Sequence, residues 1–437
     1  MSGPADLQRR FYDMLMVSQY WPADRMQQHQ RTQLGQLLRH AKANVPFYEH
    51  RLDAVLRPDG EIDWDRWNEM PVLDRVDLHE HRDAMQAKEL PPGHGPVTTF
   101  RSSGSTGVPI ETTHNYLEGV AGNAAMLRSY SWHDIDFDRS MLDLSGEDPD
   151  EAAWPEGANR GPWGPPWEPG SGTRFDLNKF TSPEHTADFL IAGDFAYFSA
   201  IPSRMEVVAY ALRERGTHLP LNGLFFRGEA LALAQRRLFE DVFGASCVDL
   251  YAATETFKMG NNCAGHQHFH VNAELGLIEI IDDAGRPAPV GTSGRVVVTP
   301  FYNTAQPLIR YAIGDIAVAG ELCDCGRTLP VIDRVVGRSY HTFRGTDGRR
   351  FTPLVQEDES FDLGIGMWQL AQVAPGTAEF RYLMRPGFAA DPTEIEVMLR
   401  RGLPSDFEIR LDLRQRFDLP ADRKHTLLIN EMDGAAR

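Results

Sequence analysis

The ten residues Arg101-Ser-Ser-Gly-Ser-Thr-Gly-Val-Pro-Ile110 constrain this chain more than any other stretch. Gly104 and Gly107 let the backbone take positive φ and approach a ligand closely. Ser102, Ser103, Ser105 and Thr106 bring hydroxyl and amide donors suited to phosphate oxygens. The stretch reads as a phosphate cradle between the run Gly95 to Phe100 and the helical segments that follow. It is not a Walker P-loop, because Val108 stands after Gly107 where that loop needs lysine. Taken alone, the same composition would serve as a Ser/Gly linker, and motifs further along the chain decide for the cradle.

A chain of 437 residues is too long for one ordinary core, so two or more domains are expected. With 42% apolar and 24% charged residues it has the composition of a globular protein. A formal charge of −18 argues against a nucleic-acid backbone or an anionic membrane surface as a general partner. The sequence shows no apolar run of about eighteen residues, and Met1-Ser-Gly-Pro-Ala-Asp6 does not open a secretory signal; a cytoplasmic protein is the expectation. Four cysteines in such a chain do not make a disulfide framework, and their spacing matters more than their number.

Leu34, Leu37, Leu38 and Ala41 fall on one helical face, and that helix should end before Val45-Pro46. From Ser145 to Thr173 the chain is rich in Gly, Pro, Trp and acids without a period of either kind, which suggests a long surface excursion or lid. Helices are expected from Ser203 to Gly216 and from Glu229 to Gly244, the second leading into a short strand from Ala245 to Leu250. This alternation indicates an α/β core. β-rich runs from Leu275 to Ile281 and from Gly294 to Thr299 flank the turn at Asp282-Asp-Ala-Gly-Arg-Pro287. Beyond Gly337 a small α+β module is expected: a strand from Thr377 to Met384, a helix begun by Asp391-Pro-Thr-Glu394, and strands from Glu408 to Leu413 and from His425 to Asn430. The domain division is therefore 1–336 and 337–437.

Four clusters follow the cradle in order: Gly228-Glu229, Tyr251-Ala-Ala-Thr-Glu255, Arg310-Tyr-Ala-Ile-Gly-Asp315 and Gly337-Arg338. As an ordered set they resemble the adenylate-forming (acyl-activating) superfamily, and most closely its phenylacetate-CoA ligase-like branch. Leu37-Leu-Arg-His-Ala-Lys-Ala-Asn-Val-Pro-Phe-Tyr48 and Met70-Pro-Val-Leu-Asp74 are similar to that branch's N-terminal segments. The resemblance implies a large N-terminal domain that binds ATP and the acyl group, followed by a small mobile C-terminal domain.

It also implies roles. Ser102, Ser103, Gly104, Ser105, Thr106 and Gly107 would hold the phosphates, and Gly228, Glu229 and Arg338 would line the nucleotide site. Tyr251 would stack on adenine, Thr254 would bond the α-phosphate, and Asp315 would accept the ribose hydroxyls. Glu255 would hold Mg²⁺, which favours one or two carboxylates with phosphate oxygens. Leu419-Pro-Ala-Asp-Arg-Lys424 resembles the family's last motif, in which Lys424 would offset charge during adenylation. The implied reaction joins a small-molecule carboxylic acid, aromatic by this resemblance, to the α-phosphate of ATP and then passes the acyl group to coenzyme A. Tyr340 and His341 stand where the family's hinge has acids, Ala312 replaces an arginine, Ala252 a glycine, and Arg423 a glycine. The altered hinge keeps open transfer to a carrier-protein thiol or an amine; a further alternative of another class is a nucleotide-binding regulatory protein without turnover, against which Lys424 and Glu255 speak. A homodimer is the base-rate expectation.

Cys263 and His270 follow the Tyr251 motif, and Cys323-Asp-Cys325 follows Asp315. Three thiolates and an imidazole suit a closed tetrahedral, structural Zn²⁺ site. His266 and His268 compete with His270 as the fourth ligand. Cys247, inside an apolar strand, is expected to pack in the core.

Overall fold

The computed structural model describes residues 4–57, 59–101, 110–146, 148, 150–282, 284–338, 343–348, 350–351, 353, 355, 357–385, 387–415, 417 and 427–433, with the backbone alone at 4, 338, 350, 357, 358 and 433. The fold is α/β. The chain opens with helices α1 (Pro4–Ser18), α2 (Ala23–Asn44) and α3 (Arg75–Glu80), then a hairpin of β1 (Val97–Arg101) and β2 (Glu111–Asn115), then α4 (Tyr116–Trp132). Strands and helices next alternate: β3 (Ser140–Ser145), β4 (Ala158–Pro162), β5 (Thr173–Asn178), α5 (Pro183–Ala192), β6 (Phe195–Ala200), α6 (Pro202–Glu214), β7 (Gly223–Arg227) and α7 (Leu233–Phe243). Strands then dominate: β8 (Ser246–Ala252), β9 (Lys258–Asn262), β10 (Phe269–Val271), β11 (Gly276–Ile281), β12 (Ser293–Pro300), β13 (Tyr311–Ala319) and β14 (Val331–Arg338). The last hundred residues hold β15 (Phe343–Arg344), β16 (Arg350–Phe351), α8 (Glu357–Asp362), β17 (Ile365–Ala374), β18 (Thr377–Met384), α9 (Pro392–Arg400), β19 (Glu408–Leu413) and β20 (Leu428–Asn430).

Two compact units share this chain. The first takes Met1–Asp134 and Leu250–Val336, the second Ile135–Asp249 and Gly337–Arg437. One change of unit falls at Val336/Gly337; the other two divide the stretch 1–336.

In the first unit the strand order β11-β12-β13-β14-β10-β9-β8 is antiparallel where pairing is described. One face of α2 buries Leu34, Leu37, Leu38 and Ala41 in the core, and the helix stops at Asn44 because Val45 precedes Pro46 and turns extended. Arg128 and Glu274 form a fully buried ion pair, both side chains at 0% exposure, with Nη1 2.7 Å from Oε1. Arg128 also donates to Leu15 O and to Asn272 Oδ1, and Ser18 donates to Glu274 at 2.6 Å. These bonds fasten α1 and α4 to the turn before β11.

In the second unit β7-β6-β3-β5 are parallel and β4 adds antiparallel to β5. Leu142, Leu144, Phe198, Leu224 and Phe226 pack on one face against residues of α5, α6 and α7. Strand β4 lies within the excursion expected to be irregular. Its pairing is a backbone matter that side-chain periodicity does not reveal. Trp154 stacks on His185 at 4.7 Å, and the Trp163 indole donates to Arg139 O, so both are anchored within this unit. The helix expected from Glu229 begins only at Leu233, since Gly228 takes φ +80° and the Glu229 carboxylate is engaged elsewhere. It ends at Gly244, whose φ of +60° forms a left-handed cap. The C-terminal sheet, in order β19-β18-β17-β20, carries its own core with Phe343, Phe380, Met398 and Leu399. Asp391 caps α9 by accepting from Thr393 N at 2.8 Å. Among the described residues no helix is long and apolar enough to cross a membrane.

Candidate functional site

The cradle joins β1 to β2, which pair from Val97↔Asn115 to Arg101↔Glu111. Ser102, Ser103, Gly104, Ser105, Thr106 and Gly107 lie outside the described residues, as does Lys424 with the motif around it. Arg338 ends β14, and only its backbone is described.

Three motifs meet in the first unit. Tyr251, near the end of β8, donates its phenol to Asp315 Oδ2 at 2.8 Å, joining residues 64 positions apart. Both are buried, at 8% and 6% exposure. Asp315 sits within β13, and one of its oxygens is already engaged by the phenol. The Tyr251 ring also faces Phe269 at 5.9 Å. Beyond β8 the chain turns through Thr254, exposed, and Glu255, buried, and Arg75 Nη1 stands 3.7 Å from Glu255 Oε1. Arg75 is the first residue of α3, which Asp74 starts with a reciprocal capping box to Asp77. Leu73 pairs in parallel with Tyr311 through bonds from its N–H to Arg310 O and from Ala312 N–H to its own carbonyl, both 2.8 Å. The segment 70–74 thus sets α3 beside the strand that carries Asp315. A carboxylate at 255 next to an exposed threonine hydroxyl is a donor set that Mg²⁺ can take when phosphate oxygens complete the shell.

Sequence reasoning passed over Arg310. It is 1% exposed with φ +54°, bonds to Met70 O at 2.8 Å and Trp67 O at 3.2 Å, and pairs with Glu279 at 3.2 Å. Left-handed backbone at a non-glycine residue is uncommon and needs such support. Its position at the head of the Arg310 to Asp315 motif was the available signal.

Gly228 and Glu229 belong to the second unit. The Glu229 carboxylate accepts from Ser203 N and Ser203 Oγ, both at 3.0 Å, and so caps the start of α6, where a negative group is favourable. Phe226 stacks on Phe239 at 5.3 Å in the apolar core, which leaves Phe225, against Trp163 and Tyr197, on the other face of β7.

The cysteine cluster is assembled in the first unit. Cys263 Sγ and Cys323 Sγ are 3.9 Å apart, and Cys325 Sγ lies 3.3 Å from His270 Nε2. Zn–S bonds of about 2.3 Å at tetrahedral angles place two sulfurs about 3.8 Å apart, and a sulfur and an imidazole nitrogen about 3.5 Å apart, so both spacings fit one ion. Ligand atoms of Cys263, His268, His270 and Cys323 all lie within 4.8 Å of one another. His268 therefore stands beside Cys325 as a candidate for the fourth position. The His268 Nε2 is buried without a hydrogen-bond partner among the described residues. Burial and the neighbouring cysteines push the Cys263 thiol up to about 12. Burial and His268 push His270 down to about 4, leaving the neutral imidazole that binds metals. A divalent cation would reverse the cost of ionising the thiols. Cys247 is half-buried against the second unit's core, with its thiol pushed up to about 11 by burial.

No family model matches the chain. It is 25% identical over 343 residues to a phenylacetate-coenzyme A ligase of Thermus thermophilus, covering 73% of this chain and 71% of that protein. Its structure resembles 2-hydroxyisobutyryl-CoA ligase in the postadenylation state, with a TM-score of 0.70 at 19% identity, over 96% of this chain and 94% of that one. A benzoate CoA ligase from Burkholderia xenovorans matches with a TM-score of 0.52 at 14% identity, over 77% and 68%.

Proposed function

We infer that this chain, which has the fold of the adenylate-forming superfamily and the ordered motifs of its phenylacetate-CoA ligase-like branch, is an AMP-forming acid–thiol ligase. It activates a carboxylic acid as the acyl-adenylate and passes the acyl group to coenzyme A. The observation that carries this reading is the Tyr251–Asp315 bond, which brings two of the family's motifs together. An aromatic acid is favoured by the phenylacetate ligase relative.

In the first half-reaction a carboxylate oxygen attacks the α-phosphorus of ATP and pyrophosphate leaves. The work of the protein is positioning and charge neutralisation, so no covalent enzyme intermediate is needed. Thr254 would orient the α-phosphate, and Asp315, held by the Tyr251 phenol, would fix the ribose. The residues 102–107, Gly228, Glu229 and Arg338 would complete the nucleotide site. Lys424 would approach the reacting carboxylate and α-phosphate. Mg²⁺ would be held by Glu255, where it would neutralise phosphate charge. In the second half-reaction the thiol displaces AMP, for which residues 337–437 would act as the mobile small domain. Zn²⁺, a structural ion, would be held by Cys263, Cys323 and His270 with Cys325 or His268. A cytoplasmic location belongs to the same reading, in which ATP and coenzyme A are the co-substrates.

A second reading, transfer to a carrier-protein thiol or an amine, rests on Tyr340 and His341 at the hinge. Pyrophosphate exchange into ATP across a panel of carboxylic acids, followed by assay for acyl-CoA, separates the two. Exchange with thioester formation is expected. Exchange without acyl-CoA favours the second reading, and no exchange with any acid defeats both.

A further inference from the structure

Strand β2 carries a buried polar chain that none of the roles above uses. Thr112, His114 and Glu118 are 1%, 8% and 6% exposed. Residues 112 and 114 share a face of β2, and Glu118 follows four positions after His114 in the first turn of α4. Glu118 Oε2 is 2.6 Å from His114 Nδ1, and His114 Nε2 is 3.0 Å from Thr112 Oγ1. Thr112 Oγ1 in turn donates to the carbonyl of Thr254 at 3.5 Å. Phe100, across the hairpin, closes over the imidazole edge at 5.4 Å.

The direction of these bonds follows from the proton count. Glu118 Oε1 is buried with no partner among the described residues, an expensive place for an ionised oxygen. Burial raises the Glu118 carboxyl; burial lowers the His114 imidazole, but Glu118 together with the Thr254 carbonyl and the Glu255 charge leaves it raised. The Thr112 hydroxyl has one hydrogen and gives it to Thr254 O, so toward His114 it can only accept and Nε2 carries a hydrogen; the short Nδ1–Oε2 contact then needs one proton between its two atoms.

We propose that Thr112, His114 and Glu118 form a one-directional hydrogen-bond relay that fixes the Thr254 carbonyl, and that His114 is a positioning residue for the adenylation half-reaction. The relay ties together the strand leaving the phosphate cradle, the first turn of α4 and the turn presenting Thr254 and Glu255. The catalytic consequence rests on the acid-activating reading above; the structural one does not.

The test compares Thr112→Val, His114→Leu and His114→Gln with the wild type. Losing one buried hydrogen bond should lower kcat for pyrophosphate exchange roughly tenfold in the first two variants. KM for MgATP should move by less than about threefold, because the interaction lost is one that matters in the transition state. Transfer from supplied acyl-adenylate to coenzyme A should stay within about twofold of wild type. His114→Gln, whose amide nitrogen can stand where Nε2 does, should recover most of kcat. Independently of turnover, amide hydrogen exchange across residues 253–257 should quicken by roughly tenfold in Thr112→Val. Unchanged exchange in that turn, or equal losses in both half-reactions, overturns the relay. If the wild type activates no acid, the activity assignment falls and the exchange measurement still decides the relay.

Discussion

Replacing Arg128 by Met should destabilise the first unit by about 3–5 kcal/mol, the usual cost of removing one partner from a buried ion pair. The structure supports the upper part of that range. Arg128 and Glu274 are both at 0% exposure, and the guanidinium supplies bonds to Glu274, Asn272 and the Leu15 carbonyl. Methionine fills similar length but donates nothing, so Glu274 keeps only the Ser18 hydroxyl as a described donor. Water cannot reach the carboxylate at that depth, and its desolvation goes uncompensated. The double variant R128M/E274M removes both charges and should recover about 2 kcal/mol relative to R128M, leaving the cost of the Asn272 and Leu15 acceptors. A chain with several cores will not unfold in one step, so the readout is amide exchange within Pro4–Ser18 and Tyr116–Trp132, which reports local opening free energy. An R128M cost under about 1 kcal/mol would refute the idea that this pair organises the unit, and a double variant worse than R128M would refute the desolvation argument.

Other predictions follow from single groups. Burial pushes the Glu206 carboxyl up to about 8 from an ordinary 4.5, with Glu229 adding to the effect and Gln235 and Tyr210 opposing it. Between those values the folded chain binds the extra proton, so stability should fall with rising pH by roughly 1.4 kcal/mol per unit and level off above pH 8. The opening free energy read by amide exchange within Pro202–Glu214 across pH 4 to 9 should be flatter for Glu206→Gln than for wild type; parallel curves would contradict the assignment. Protein purified without added zinc should carry a stoichiometric amount of the metal, and Cys263→Ser should lose it with a fall in thermal stability; a stable, metal-free wild type would count against the site. Lys424→Ala should suppress adenylate formation by several orders of magnitude more than it slows thiolation of supplied adenylate, and equal losses would remove that role. Tyr251→Phe should raise KM for ATP several-fold by freeing Asp315 from its phenol, as measured by exchange kinetics; an unchanged KM would separate that bond from nucleotide binding.

Local signals read well in this sequence. Asp391 before Pro392, with Glu394 in the first turn, marks α9 because capping is decided within three residues. Strands β18 and β19 occupy the stretches that the residue pattern marks, Thr377–Met384 and Glu408–Leu413. Strand β17 escaped notice: Ile365–Ala374 is buried along most of its length, and an apolar run covered on both faces loses its alternation. The Arg128–Glu274 pair and the Thr112–Thr254 contact join positions 146 and 142 residues apart, and nothing local predicts them. The motif around Asp315 was visible as a string of residues, but the phenol it meets and the left-handed Arg310 that launches the strand depend on tertiary contacts.

The interleaving of the two units sets when each can close during synthesis. Residues 1–134 emerge first, yet their sheet lies in Leu250–Val336, and at about 5–20 residues per second the intervening segment takes roughly 6–23 s to synthesise. During that interval α1, α2 and α4 present Leu15, Leu38 and Ala124 with no strand to cover them, and Arg128 waits for an acid not yet made. A truncated product ending near residue 134 should therefore engage chaperones or aggregate rather than persist as a folded fragment.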